Sequence, residues 1–269
     1  TVRSGDPASY SGVPLKTFYG EIAKAYAGTS VAAGDFDGDG VADIIIGAPN
    51  DDDAETDPEK TYVDTGSVSV YGVTDIDPVV KVYGAVAKAY FGKSVAIANI
   101  NDEDGDEILV GAPGDDILNE AGKAIKKDVG SATLLSGEDG FPLYQYYGRT
   151  LKAGLGNSVA FGDVNGDAVL DIIAGASKDD KPAKKPIKDT GSVSVWNGAD
   201  YGLITTLYGT VTKDYFGAAV SSGDVAGNIG ADGYADLLIG VGGADIPTVP
   251  PLKPIKNAGS VQVLSGKYL

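Results

Sequence analysis

Cysteine, histidine and methionine are absent from the 269 residues, and tryptophan occurs once. Without cysteine there is no disulfide framework and no thiol nucleophile; without histidine there is no His-dependent serine triad and no imidazole-ligated zinc or copper. Positive charge is also scarce, with 21 Lys and Arg against 38 Asp and Glu and a formal charge of −17. That balance repels a phosphate backbone or an anionic bilayer, which argues against nucleic acid and membrane surfaces as partners and makes cations the natural counterpart. Apolar runs are only a few residues long, which excludes a transmembrane helix and direct membrane insertion. The chain starts at Thr1 with no signal-peptide pattern, as expected of a processed or excised segment.

What is present is short runs of Val, Ile, Tyr and Thr punctuated by 39 glycines, with no long segment of helical period. The expected class is therefore all-β. Self-similarity organises these runs. The tetrads YGEI, YGAV, YGRT and YGTV begin at Tyr19, Tyr83, Tyr147 and Tyr208, spaced 64, 64 and 61 residues apart. After each comes AG, FG, LG or FG (Ala27, Phe91, Leu155, Phe216), a small-residue strand, and an apolar strand DIIIGAP, EILVGAP, DIIAGAS or DLLIGVG. A long polar loop leads to GSVSVYG, GSATLLSG, GSVSVWNG or GSVQVLSG, and a fourth strand reads PVVKVYG, PLYQYYG or LITTLYG.

Four strands per repeat of about 64 residues make one antiparallel sheet, which cannot bury both faces alone. Radial packing of such twisted sheets gives a β-propeller; a stack or sandwich of hairpins is the alternative. The reading is a single domain over 1–269, with blades at about 20–83, 84–147, 148–208 and 209–269. The last repeat stops after its third strand, and residues 13–19, VPLKTFY, match the fourth. The amino-terminal segment is thus expected to supply the outer strand of the last blade, in its own chain or in a neighbour.

Between the first two strands of each repeat lies an oxygen-rich loop. In DFDGDGVAD, Asp35, Asp37, Asp39 and Asp43 fall at positions 1, 3, 5 and 9, with the Val41 carbonyl at position 7. Alternate oxygens on a tight turn converge on one point, and Gly40 lets the backbone bend. These are hard ligands, so calcium is favoured and magnesium, which demands a tighter octahedron, less so. An EF-hand is rejected because position 12 is Ile46, inside a strand, where a glutamate is needed. A bare Asp/Gly turn without metal is the alternative.

The third copy, DVNGDAVLD, keeps Asp163, Asn165, Asp167, the Val169 carbonyl and Asp171, although Ala168 replaces the turn glycine. The second, NINDEDGDE, offers Asn99, Asn101, Glu103 and Glu107, with Gly105 at the carbonyl position and Asp102, Asp104 or Asp106 as substitutes. The fourth, DVAGNIGADGYAD, is four residues longer and has Ala226 where a ligand was expected; its candidates are Asp224, Asn228, Asp232, Tyr234 and Asp236. Two calcium sites are expected, and up to four.

The order FG, D-x-D/N-x-D-G-x-x-D, GAP and GSV, cleanest at residues 91–92 and 111–113, resembles the FG-GAP repeat of integrin α-subunit N-terminal β-propellers over residues 13–269. The resemblance implies that the loop joining the first and second strands of a blade binds calcium structurally. Extracellular modules bind calcium at about 10⁻⁴ to 10⁻³ M and would stand largely empty in a cytosol, so an extracellular, secreted or cell-surface setting is expected. Integrin propellers have seven blades and this chain supplies four repeats. It is read as a small ring, with half of an eight-bladed dimer, a polymer unit or part of a larger propeller as alternatives. No RGD and no inserted adhesion domain occurs, so integrin ligands are not carried over.

The loop carboxylates recur in every repeat, whereas a catalytic pair is usually unique to one place. A non-catalytic adhesion, recognition or self-assembling module is therefore the expectation. Its partner would be a protein or glycan ligand, or copies of itself. The alternative is a carbohydrate-active enzyme or lectin using carboxylates and aromatics. Tyr and Phe in KAYFG, QYYG and DYFG are read as packing between blades ahead of a sugar or peptide site. The lysine segments KAIKK, KPIK and KPIK are read as solvated loop tips ahead of a binding patch.

Overall fold

A computed structural model of the protein describes residues 16–52, 63–101, 103–225, 233–246 and 254–269. Residues 13–15 of the proposed closing strand, Asp102, Ala226, Asn228 and Asp232 lie outside them.

The small-residue runs, the apolar runs and the GSV runs are strands, as their alternation requires. The first sheet is β1 (Ser30–Gly34), β2 (Asp43–Ala48), β3 (Ser67–Tyr71) and β4 (Val80–Tyr83), paired antiparallel in that order. The second has β5 (Ser94–Ala98), β6 (Glu107–Ala112), β9 (Ser131–Leu135) and β10 (Pro142–Tyr147); a small hairpin, β7 (Ile117–Leu118) with β8 (Ala124–Lys126), stands in its long loop. The third is β11 (Leu155–Gly162), β12 (Asp171–Ala176), β13 (Ser192–Trp196) and β14 (Leu203–Tyr208). The last is β15 (Phe216–Gly223), β16 (Asp236–Val241) and β17 (Ser260–Leu264).

In the second and third sheets the central strands β6, β9, β12 and β13 bury both faces, one against the sheet before and one against the sheet after, whereas β17 of the last sheet is largely exposed. Ile45, Val68 and Val70 of the first sheet meet Phe91, Ile108, Val110 and Leu135 of the second. Leu109 and Leu134 meet Leu155, Ile172 and Trp196 of the third. Ile173, Val193 and Val195 meet Phe216, Leu237 and Ile239 of the last. These sheets are propeller blades, and the residues buried in their cores are about as apolar as a sheet covered on both sides demands.

The motifs that recur in sequence turn out to be the parts of one joint. The FG or LG dipeptide of the second, third and fourth blades seats in the GAP and GSV strands of the blade before it. Phe91 N–H donates to Thr65 O at 2.9 Å, Leu155 to Val129 O at 3.0 Å and Phe216 to Thr190 O at 2.9 Å. The following glycine carbonyl accepts a serine hydroxyl from the preceding blade, from Ser30 to Gly92 (2.7 Å), Ser94 to Gly156 (2.9 Å) and Ser158 to Gly217 (3.0 Å). The GAP glycine lies directly beneath that carbonyl. A Cβ on Gly111 would stand 2.0 Å from Gly156 O, and on Gly47 or Gly175 2.2 Å from Gly92 O or Gly217 O.

The expected pairing of 13–19 with the last blade is not made by the described residues 16–19, and the last sheet has three strands among the described residues. Phe18 instead packs, tilted, on Tyr71 of the first blade, centroids 4.6 Å apart. It occupies, against the first blade, the place Val82 occupies against Leu135 of the second. That is the position of a preceding blade's outer strand, without the ladder that would tie it to one. Among the described residues no hydrogen bond joins the last blade to the first, and Val31 and Val261 on those two faces are 66% and 68% exposed.

Candidate metal centre

Antiparallel order places the loops after the first strand of each blade, and the turns after the third, at one end of the sheets. In the first loop, oxygens of Asp35, Asp37 and Asp39 lie within 4.8 Å of one another. The backbone folds them inward by local bonds: Gly40 N–H to Asp35 Oδ2 (2.9 Å), Asp39 N–H to Asp37 Oδ1 (3.2 Å) and Val41 N–H to Asp39 Oδ1 (2.7 Å). Gly38 and Gly40 supply left-handed corners, φ 72° and 83°. Asp43 is buried beneath the loop and accepts Phe36 N–H at 3.0 Å. Burial, and secondarily the Asp37 and Asp39 charges, push its carboxyl up.

One atom of this loop has no partner: Asp35 Oδ1 is buried without a hydrogen bond. Among the described residues no ion pair reaches Asp35, Asp37, Asp39 or Asp43. Converging carboxylates with a stranded buried oxygen and no cation are what a divalent ion would satisfy, so the residues fit a hard cation.

The third loop repeats the N–H bonds of this turn, although among the described residues its carboxylates do not form the close group seen in the first. Asp163 accepts Gly166 and Ala168 N–H, Asp167 accepts Val169 N–H at 2.9 Å, and Asn165 donates to Asp167 and Asp171. Ala168 adopts φ 69°, the conformation of Gly40, so the turn survives loss of its glycine at a cost of roughly 1 kcal/mol. Asp171 is fully buried, and desolvation pushes its carboxyl up to about 6.

The second loop is tied differently. Glu107, buried and pushed up by burial, accepts Ile100 N–H and Asn101 Nδ2, while Asn99 donates to Glu103 O and Glu103 N–H to Asn101 Oδ1. Gly105 takes φ 98°. Asp106 points to the neighbouring blade, accepting Asp35 N–H at 2.9 Å while its own N–H donates to Asp35 O at 2.7 Å. It thereby joins the first two loops. In the last blade Asp236 accepts Val225 N–H, its Oδ1 is buried without a partner, and Asp224 is exposed. Tyr234 lies against Gly166 of the third loop, next to the Ala235 N–H bond to Asp163 O at 2.6 Å.

Sequence reasoning missed a second set of carboxylates at the opposite end. Asp51, Asp115 and Asp179 follow the GAP strands and are buried, each accepting the hydroxyl of the GSV serine: Ser67 (2.7 Å), Ser131 (2.7 Å) and Ser192 (2.8 Å). Their next neighbours Asp52, Asp116 and Asp180, and Asp245 at the equivalent place in the last blade, clamp the base of the long loop through N–H bonds from Asp64, Asp128, Asp189 and Asn257. Lys81 neutralises Asp51 at 3.1 Å and reaches Glu21 at 2.9 Å. Asp115 has Gln145 instead, and burial pushes its carboxyl up against the help of Ser131. The signal was a recurrent Asp-Asp pair in NDDD, GDDI and KDDK, read only as loop.

Of the aromatics, Phe91 and Phe216 are buried in the joints, and Tyr146 packs on Trp196 at 4.3 Å, which is the packing role expected. In the lysine loops, Lys188 pairs with Asp180 and Lys256 with Asp245 at 2.5 Å.

The FG-GAP repeat model matches residues 27–71 and 155–196. Integrin alpha-V of Gallus gallus is 28% identical over 246 residues, covering 86% of this chain and 21% of that protein. Integrin alpha-8 of Mus musculus is 29% identical over 249 residues, with the same coverage of 86% and 21%. The chain thus spans about a fifth of the length of these relatives. Among solved structures, the exotype rhamnogalacturonan lyase YesX superposes with a TM-score of 0.50 at 13% identity, covering 88% of this chain and 39% of that one, a likeness of fold alone. Joints built from FG, GAP and GSV, together with these matches, show FG-GAP repeats at residues 27–71 and 155–196 and a similarity to the integrin α-subunits over most of the chain.

Proposed function

We propose that the protein is a calcium-stabilised, extracellular β-propeller module for adhesion or recognition, without catalysis. The observation that carries the metal assignment is the first loop, where three carboxylates converge and Asp35 Oδ1 is buried without a donor. Asp35, Asp37, Asp39, Asp43 and the Val41 carbonyl would hold the ion, and Asp163, Asn165, Asp167, Asp171 and the Val169 carbonyl would hold a second. The ion supplies charge neutralisation that lets the loops close. Calcium at about ten times its dissociation constant would add roughly 1.4 kcal/mol per site. The relatives' names, integrins, support an adhesive role at the cell surface. Adding chelator should lower the melting temperature and release about two ions per chain; an unchanged melt with no bound metal sinks the reading.

Self-association is a second reading, favoured by one placement. Residues 16–19 sit as a preceding blade's outer strand, while the edge of β17 is open among the described residues. The mass in solution in calcium buffer separates a monomer from paired or polymeric rings.

A further inference from the structure

The segment that crosses from the outer strand of one blade to the inner strand of the next contains one lysine in every repeat: Lys24, Lys88, Lys152 and Lys213. All four adopt the left-handed conformation, with φ of 71°, 64°, 65° and 65°. That conformation favours glycine or asparagine, and strain held at the same place in a repeated unit points to a use for the side chain. All four lysines are exposed, and none forms an ion pair among the described residues. They lie at the end of the sheets opposite the metal loops. Of the loops and turns at that other end, residues 35–43, 72–79, 99–107, 136–141, 163–171 and 197–202 contain no lysine or arginine, and the segment after β17 adds Lys267. The net charge of −17 is therefore concentrated away from these lysines, and it does not forbid an anionic ligand on their side.

We propose that this lysine-bearing end binds an acidic polysaccharide, a chain of sugars carrying spaced carboxylates. The inference rests on the recognition role proposed above. Between the second and third blades, Lys152 and Lys178 flank a cleft of about 380 Å³ that also presents Tyr90. An aromatic ring beside a cation suits a sugar with an apolar face and a carboxylate. Asp128 and Asp189 line the same cleft, so a densely charged phosphate backbone would meet carboxylates wherever it met lysines. A uronate chain carries fewer charges per unit length than a phosphate backbone and suits such a mixed surface better. Contacts that are individually weak become useful when a repeating ligand spans several blades.

The test is calorimetric titration of hyaluronan oligosaccharides, one carboxylate per disaccharide, into the whole chain in calcium buffer. Carboxyl-reduced hyaluronan and single-stranded DNA serve as comparisons. Wild type should bind the carboxylated chain selectively. Combined Lys24→Gly, Lys88→Gly, Lys152→Gly and Lys213→Gly should weaken binding on the order of tenfold, with a melting temperature no lower than wild type because glycine accepts the left-handed backbone. No binding, equal binding by the variant, equal binding of the reduced glycan, preferential binding of DNA, or a lowered melting temperature in the variant each overturns the proposal. A chelator melt on the same sample reports separately on the calcium assignment, so loss of glycan binding with calcium stabilisation intact condemns only the glycan.

Discussion

The joints within the chain and the free faces at its two ends contain nearly the same motifs with different outcomes. Inside, a serine hydroxyl, a GAP glycine and an FG dipeptide meet three times over. At the end of the last blade the serine position is Ala219, the buried aspartate position is Ala244, and the glycine, Gly240, has Ala219 Cβ at 3.3 Å as the nearest neighbour of an added Cβ. On the first blade the FG position is Ala27-Gly28, and nothing lies within 4 Å of a Cβ on Gly28. The residues missing at the ends are those whose atoms reach across a joint. The glycine retained in GVG shows that a motif can survive in sequence where its contact is not made.

Substitutions that add or remove one half of a joint test this contrast. The largest effect is expected for Gly111→Ala, which forces a methyl onto Gly156 O and should cost on the order of 3 kcal/mol. Gly240→Ala, in the equivalent strand position, should cost under about 1 kcal/mol. Urea unfolding of both variants measures the difference, and equal losses would mean that the last blade's free face is covered in solution.

Next in size are the buried aspartates. Asp179→Ala strands the Ser192 and Thr150 hydroxyls and the Asp180 N–H and should cost about 2 kcal/mol. Ala244→Asp should give no gain, since Ser260 is exposed and no closed seat awaits the carboxylate. Asp39→Ala should abolish the calcium-dependent part of stability assigned to the first loop, roughly 1.4 kcal/mol at tenfold saturation. It is read as the difference between melts with calcium and with chelator.

Ser94→Ala removes a joint hydrogen bond and should cost about 1 kcal/mol, whereas Ala219→Ser should be neutral. The smallest effect concerns pH. Because burial raises the Asp115 carboxyl above its ordinary value, its contribution is fully present below the unfolded value of about 4 and is lost as pH rises through the folded value. Asp115→Asn should therefore become progressively more stable relative to wild type as pH rises above about 4. A flat difference across that range would show that Ser131, Gln145 and the Asp116 N–H fully offset the desolvation.

The repeat, the four-stranded unit and the position of the oxygen-rich loops were legible because periodicity and turn chemistry are local properties of a chain. The joint was not. Thr65 and Phe91, or Ser94 and Gly156, are far apart in sequence, so FG and GAP could be recognised as recurring without showing that one is seated in the other. Asp51, Asp115 and Asp179 were hidden for a related reason: a carboxylate in a polar loop looks solvated until the serine that buries it is placed beside it. The bond from the Asp35 backbone to Asp106 was hidden in the same way, since only the folded arrangement brings the two together. Ala168 shows the converse, a departure from the motif that the backbone absorbs without changing shape.

The seating of each FG dipeptide in the blade before it also bears on how such a chain acquires its structure. The second and third blades each carry the key for the predecessor and the lock for the successor, so stability accrues between nearest neighbours, as in a one-dimensional array. A blade emerging during synthesis remains half-finished until the next dipeptide has been made. The order of assembly is thus written along the chain from amino to carboxyl end, and inserting or deleting a whole repeat leaves every remaining joint intact.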